Sequence, residues 1–575
     1  MSDTVMTLPR RNPSPPDGDH GAPPRRRLRR PSETFVLFAA AFVLYLLVAG
    51  LLIHFNVVFT DAISRVANAF YVLFSRDPHL PAMGFVWNPL PSFVLLPILP
   101  FKSIFPGLVV YGAAGSIQSA LSMAGAVAGI SVCLRKLAVR PVPRRILVAL
   151  FAVQPMILLY AGSGQSEPML LLFLVLTTSA LISWTLDRQP GHLVGAGMAL
   201  GLAYVTRYES GAPAIAVAVL VALVTFGNTT GSWGYRIRLA LNDVVLVATP
   251  FLFGFFLWAA SAKILVGEWF PTFGSKYGNS AQVADAAQWI QQATGTTFGQ
   301  TLEYLGRQMF GLAPLFAVLV AATLVLAVRR RTVTVLVAPV VFGSVMAFCA
   351  LVLLMGASFG WLRFQITIIP LTVLMAGAVV AALSNRPGQH RASAHAAAAD
   401  RRWPRRRTTV AVTTAVLLAV GFAIPVQAWV LTDPTLNLAR EEAPVLSGLL
   451  FPDLPGSNPS LLQMYQTERE ISAYLDQLGP GDGTVLTDSA YAFPIITSSE
   501  NPHTYVISSD FDFQAAVDDP AGHHIQYLLV RSDSRSDAVQ IKWPGVFDDG
   551  AGIATLARTW DGVGGHWRLY HVNGT

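Results

Sequence analysis

The chain has 575 residues, of which 53% are hydrophobic and only 13% charged, with a mean hydropathy of +0.50 and a net charge of +7. Soluble globular proteins carry about a quarter charged residues, so this composition excludes that class. Apolar runs of about 20 residues recur along the chain and predict a polytopic membrane protein.

The Lys and Arg stand in short clusters between the apolar runs, a pattern of membrane orientation and not of nucleic-acid binding. Cys133 and Cys349 both lie in apolar stretches, so neither a disulfide framework nor a cysteine metal site is expected. Residues 1–33 form a Pro- and Arg-rich tail, expected to be disordered and cytoplasmic. It is not read as a signal peptide, because the run that follows is long enough to span and has no small-residue cleavage site after it.

The first span is Phe35 to His54. Arg25 to Arg27, with Arg29 and Arg30, precede it, which places the N-terminus inside and the loop 55–106 outside. In that loop, Ile63, Val66, Ala67, Phe70 and Leu73 share one face of a helix expected to lie in the membrane interface. Pro91, Pro97, Pro100 and Pro106 break the apolar run that follows, which is read as a surface or re-entrant segment.

Further spans are expected at 107–134, 146–161, 169–186, 193–205, 212–226, 244–265, 312–328, 333–355, 364–383 and 409–430. The total is about eleven transmembrane helices. Inner loops then carry basic clusters, such as Arg329 to Arg331 and the seven Arg of the linker 385–407. A second long outer loop covers 266–306. After residue 431 the apolar runs stop. A helix over Thr467–Leu478 and strands over 484–487, 504–507, 526–530 and 567–572 predict a small domain. The expected fold is a polytopic α-helical membrane domain, 34–430, with a C-terminal extracytoplasmic α/β domain, 431–575.

On this topology the unusual charges share the outer side. Asp61, just beyond the first span, is a candidate catalytic base for an acceptor hydroxyl or a ligand for a divalent cation; equally, Thr60-Asp61 suits a helix cap. Asp77 and His79 are candidate substrate contacts, although Asp77-Pro78 also makes an ordinary turn. Glu167, in Gln165-Ser166-Glu167-Pro168, orients an acceptor or favours a helix N-terminus. Arg207, with Tyr208 and Glu209, and Arg363 either hold a lipid phosphate or anchor span ends in the interface. Lys276 and its aromatic neighbours Trp269, Phe270 and Tyr277 fit an interfacial lid or a membrane belt. Asp488, Asp510 and Asp512 lack metal-ligand spacing and read as strand-end caps.

This ordered set resembles the GT-C class of integral-membrane glycosyltransferases, in particular the branch of aminoarabinose transferases and bacterial protein O-mannosyltransferases. The likeness is carried by the early Asp61 and its amphipathic helix and by Trp87-Asn88-Pro89-Leu90-Pro91. Ser166-Glu167-Pro168, Thr206-Arg207-Tyr208-Glu209 and Arg363 before Pro370 complete it. The resemblance implies a polyprenyl-phosphate sugar donor and a glycan, lipid or protein acceptor, among membrane lipids. It implies Asp61 as base and Arg207 and Arg363 near the donor phosphate. Relatives often carry a second acid beside the first; here Ala62 and Ile63 follow Asp61, so metal dependence does not carry over. A transporter or lipid-linked-sugar flippase and a non-catalytic assembly protein are the competing classes. Coupled transporters place ionisable residues near the midplane, where this chain has almost none.

Overall fold

The computed structural model describes residues 32–384, 406–532 and 536–574. The expected tail lies outside them but for its last two residues, as does the basic linker up to residue 405.

Eight helices among the described residues are long and apolar enough to cross a membrane, or ten if two bent pairs each make one span. The expected count of about eleven differs for identifiable reasons. The segment 193–205 falls in the 15-residue helix Pro190–Tyr204, about 22 Å long, short of a ~30 Å hydrocarbon layer. It lies against the 34-residue helix Trp233–Val266, which takes in Arg236 and Arg238, expected in a loop. Gly197 permits that approach: a Cβ there would collide with the Val247 carbonyl.

The expected span 146–161 is two helices, Pro141–Ala152 and Pro155–Gly162, meeting at 59°. Pro155 has no N–H to continue the ladder. The break is served by buried Gln427 of the last span, whose amide contacts Gln154 and donates to the Leu312 carbonyl at 2.7 Å. In a hydrocarbon layer such backbone breaks need an internal partner. Phe298–Leu312 and Phe316–Arg330 likewise meet at 83°, so only the second lies along the expected span 312–328.

The helix Thr60–Phe74 corrects the expectation of a membrane-lying helix. Its apolar face, with Ile63, Val66, Ala67 and Phe70 all buried, packs against Ile471, Leu475, Phe493 and Ile496 of the C-terminal domain. Leu73 stays exposed. Amphipathicity specified a buried face, and a protein surface covers it. Further bonds clamp the domain to the loop. Asn56 donates to Leu462 and Met464 carbonyls, Tyr465 donates to Thr60, and Arg76 pairs with Asp510 and Asp512.

The C-terminal domain carries one sheet in the order β2-β1-β3-β5-β4. Its strands are β1 Val485–Leu486, β2 Tyr505–Val506, β3 Tyr527–Arg531, β4 Ala554–Gly562 and β5 Gly565–Val572. The first three in that order are parallel, the rest antiparallel. Alternate residues face opposite sides. Val485, Tyr505 and Leu529 join the face toward Thr60–Phe74, while Leu486, Val506 and Val530 pack with Phe513 and Val539. Strand β4, absent from the sequence reading, is mostly exposed and shows no apolar alternation to detect.

Phe70 is fully buried where loop helix and domain meet. Phe70→Ala is expected to cost about 3–5 kcal/mol, read as a lowered thermal midpoint in detergent and faster proteolysis after residue 431.

Candidate functional site

Five segments bring charges to one end of the helix bundle. Asp61 lies in the first turn of Thr60–Phe74, and Glu167 opens Glu167–Asp187. Arg207 follows Pro190–Tyr204, and Arg363 lies in the turn Leu362–Gln365 before Ile368–Ser384. Glu441 and Glu442 follow the last span. The turn before Glu167 needs Gly164, whose φ is +80°; a Cβ there would press on Ala62 and the Gly115–Ser116 backbone at 3.2 Å. That contact seats the start of the Asp61 helix beside Glu167.

Arg363 is the hub. Its side chain is 1% exposed; it donates to Asp61 at 2.8 Å and to Glu441 at 3.1 Å, and stands 3.8 Å from Glu167. Its guanidinium lies 4.1 Å over the Trp361 ring. Arg207 makes a second fork, 2.6 Å from Glu167 and 2.7 Å from Glu209, with a further bond to Ser166. Tyr208 packs edge-on against Phe273 and lines the same small cavity. The set Asp61, Glu167, Arg207, Tyr208, Glu209 and Arg363 is thus brought together.

Asp61 does not cap its helix. The N-cap residue is Phe59, without a side-chain cap bond; Thr60 accepts from Tyr465, and the Asp61 carboxylate turns to Arg363. Glu167 also leaves its helix N-terminus for Arg207, and Ser166 makes no cap bond. Burial alone pushes the Asp61 carboxyl up, but Arg363, Arg65 and Arg207 outweigh it and hold it below the usual range.

Three other expected contacts lie elsewhere. Asp77 accepts from the Phe511 amide at 3.2 Å and His79 stacks on the Phe511 ring at 4.3 Å, so both dock the C-terminal domain. Lys276 lines a neighbouring, larger cleft. Asp488 is a helix N-cap that accepts from Ala490, Ser508, Tyr277 and Ala538; Asp510 and Asp512 hold Arg76.

Two groups were missed by the sequence reading. Arg65 is 7% exposed, and its Nε and Nη1 are buried without a hydrogen-bond partner. It sits one helical turn from Asp61 and lines the same cavity. That i, i+4 spacing was the available signal. Glu441 is pushed up to about 8, by burial first and by neighbouring Glu442, against the pull of Arg363. Tyr160 donates to Glu442 at 2.5 Å. Nothing local marked this pair, which stands where the soluble domain begins.

The cavity lined by Asp61, Arg65, Arg207, Arg363, Trp87 and Trp361 holds about 50 Å³. Around the cluster, Glu167 Oε2, Glu209 Oε2 and both side-chain polar atoms of Gln165 are also buried without partners. Buried polar atoms are ordinarily satisfied, by protein or by ordered water, so these atoms have bonding capacity that the side chains around them leave unused. Among the described residues no three His, Cys, Asp or Glu side chains are placed to hold a metal ion.

The fold is GT-C-like: helices of spanning length with a small α/β domain packed against one end. The chain is similar to ArnT from Cupriavidus metallidurans bound to undecaprenyl phosphate, with a TM-score of 0.52 and 14% identity over 94% of this chain and 98% of that one. The apo state of the same protein aligns with a TM-score of 0.48 and 15% identity, covering 93% of this chain and 97% of that one. The archaeal oligosaccharyltransferase AglB from Archaeoglobus fulgidus aligns with a TM-score of 0.40 and 12% identity, over 86% of this chain and 69% of that one. No family model and no curated protein sequence matches the chain.

Removing the hub should be felt as lost stability. Arg363→Leu takes a cation from the half-buried Asp61 and Glu441 and from the buried Glu167, which keeps Arg207, and is expected to cost about 3–5 kcal/mol. Arg363→Lys should fall between, since an ammonium cannot reproduce the planar fork. Thermal unfolding of the purified variants in detergent checks both.

Proposed function

We propose that this chain is a glycosyltransferase that moves a sugar from a polyprenyl-phosphate-linked donor to an acceptor on the outer face of the cytoplasmic membrane. The N-terminus would be cytoplasmic and the C-terminal domain extracytoplasmic. The observation that carries the reading is the placing of an ionised Asp61 beside a buried Arg65, whose Nε and Nη1 have no hydrogen-bond partner, in one cavity at the ends of the spans. The undecaprenyl phosphate bound by the similar ArnT structure supports a carrier of that type.

In the proposed reaction the acceptor oxygen attacks the anomeric carbon, and the bond from that carbon to the phosphate oxygen breaks. The acceptor proton goes to Asp61, and the polyprenyl phosphate leaves with its electron pair. Arg207 and Arg363 are already held by carboxylates. Arg65, with Nε and Nη1 both without a hydrogen-bond partner, has the greater capacity to bind the phosphate directly, and Arg363 keeps only its Nε unbonded. Arg207 and Arg363 then act as positioning residues: Arg363 fixes Asp61, and Arg207 fixes Glu167 and Glu209. Because Asp61 is a weak base, its proton transfer becomes favourable only as the attacking oxygen acquires positive charge. No step runs through a divalent cation beside Asp61, because the guanidinium groups of Arg65, Arg207 and Arg363 around it repel one.

The volume of about 50 Å³ is too small for a sugar phosphate, so donor binding requires the cavity to widen.

Incubating the protein with undecaprenyl-phosphate-linked sugars and following sugar release or transfer tests the reading. Asp61→Asn is expected to slow turnover by ~100-fold or more while donor binding is kept. Arg65→Gln should instead weaken binding of undecaprenyl phosphate. Wild-type turnover in Asp61→Asn would remove the base from the mechanism.

The pH profile has a defined sign. Asp61 is depressed, so the acid limb should lie below the usual carboxylate value of about 4. Glu441 is pushed up to about 8 and is mostly neutral at pH 7; as pH rises through that value it gains a negative charge. Affinity for the anionic donor should therefore fall above pH 8, and Glu441→Gln should flatten that limb.

Orientation is checked by cysteine labelling on intact cells. A cysteine at Ser457 should react with an impermeant reagent and one at Ser393 should not; the reverse pattern would overturn the topology.

A further inference from the structure

A second cavity, about 370 Å³, lies beside the charged site, between the Thr60–Phe74 helix, the outer loop 266–306 and the C-terminal domain. Small-molecule sites commonly start at about 300 Å³. Trp87 and Gln282 line both cavities, so the two share a wall. The helix serves both: Asp61 and Arg65 face the charged site, while Ser64, Asn68 and Tyr71 line the larger cleft.

We infer that this cleft is the acceptor subsite and that it takes a saccharide. The inference rests on the glycosyltransferase reading above and assigns the acceptor class. Tyr71 lines the cleft and is 3% exposed, and its buried hydroxyl has no hydrogen-bond partner. A buried hydroxyl without a partner is costly, and a ligand hydroxyl satisfies it. The other walls have matching chemistry. Asn68 and Gln282 offer amides that both donate and accept, as sugar hydroxyls do. Trp87 and Tyr277 offer ring faces for the apolar C–H side of a pyranose. Lys276 forms no ion pair among the described residues and lies 4.8 Å from the Tyr277 ring, at the exposed rim. A cation at that place admits an acidic sugar as well as a neutral one.

A peptide acceptor is less suited to these walls. Extended peptides are commonly held by a free strand edge, and no strand residue of the C-terminal sheet lines the cleft. The polar groups it presents come from side chains distributed around a compact volume.

The test is ligand-observed saturation-transfer NMR on the full chain in lipid nanodiscs. The probes are methyl α-mannoside, methyl β-galactoside, methyl β-glucuronide and, separately, a heptapeptide with a central threonine. At least one saccharide should give a signal, reduced about 5-fold or more in Tyr71→Phe and in Asn68→Ala. Tyr71→Phe removes a hydroxyl that has no protein partner, so the fold is expected to persist, and an unchanged thermal midpoint verifies that. No saccharide signal, a signal unchanged in both variants, or a signal from the peptide alone overturns the inference. Undecaprenyl phosphate binding is measured on the same samples. Its loss in Arg65→Gln, but not in Tyr71→Phe, keeps the two readings separate. Saccharide binding without lipid-phosphate binding would sink the transferase reading and leave the cleft. Lipid-phosphate binding without saccharide binding would do the opposite.

Discussion

A single guanidinium governs the arrangement of this site. Arg363 is fully enclosed, and a buried charge is tolerated only where it is paired and hydrogen-bonded. Its partners arrive from the loop after the first span, from the start of the helix at Glu167 and from the segment after the last span. None can move far without leaving a charge exposed to a low-dielectric interior. The ion-pair cluster is thus also the tie that holds distant parts of the chain at one end of the bundle.

That tie explains why the C-terminal domain sits where it does. Glu441 and Glu442 enter the cluster from the first segment of the domain, just after the last span, so the domain starts at the site. Its own core then completes itself on the apolar face of the Thr60–Phe74 helix. The helix is fixed on both sides: by ionic contacts at its first turn and by hydrophobic burial along its length. Burial supplies most of the stabilisation and the ionic contacts supply position. A loop outside the bundle can carry catalytic geometry only when it is held this way.

The same helix separates two kinds of chemistry. Side chains on the Asp61 side meet the guanidinium groups of Arg207 and Arg363. Those on the Asn68 side meet amides, hydroxyls and rings, with Lys276, Asp285 and Asp488 among the other lining residues. The proposed transfer would use the charged region for the leaving group and the hydrogen-bonding region for the acceptor. The shared wall of Trp87 and Gln282 brings these two regions together.

Much of this protein was legible without coordinates. Apolar runs of spanning length, basic clusters between them, and the change of composition near residue 431 are local properties of the chain. So is the concentration of Asp61, Glu167, Arg207 and Arg363 at span ends, because a charge inside a span carries a desolvation cost that the sequence itself displays. Partner choice was not legible. Whether Asp61 capped its helix or met Arg363, 302 residues away, depends on how helices pack. Whether Ile63, Val66 and Phe70 faced lipid or protein depends on where the last domain docks, since both surfaces satisfy the same amphipathic pattern. The break at Pro155, bridged by Gln427, and the exposed strand β4 escaped for related reasons. One is resolved by a distant side chain, and the other shows no apolar period. Local sequence determined which groups must avoid hydrocarbon; only tertiary packing decided which of them would meet, because a buried charge chooses its partner by proximity in space and not in the chain.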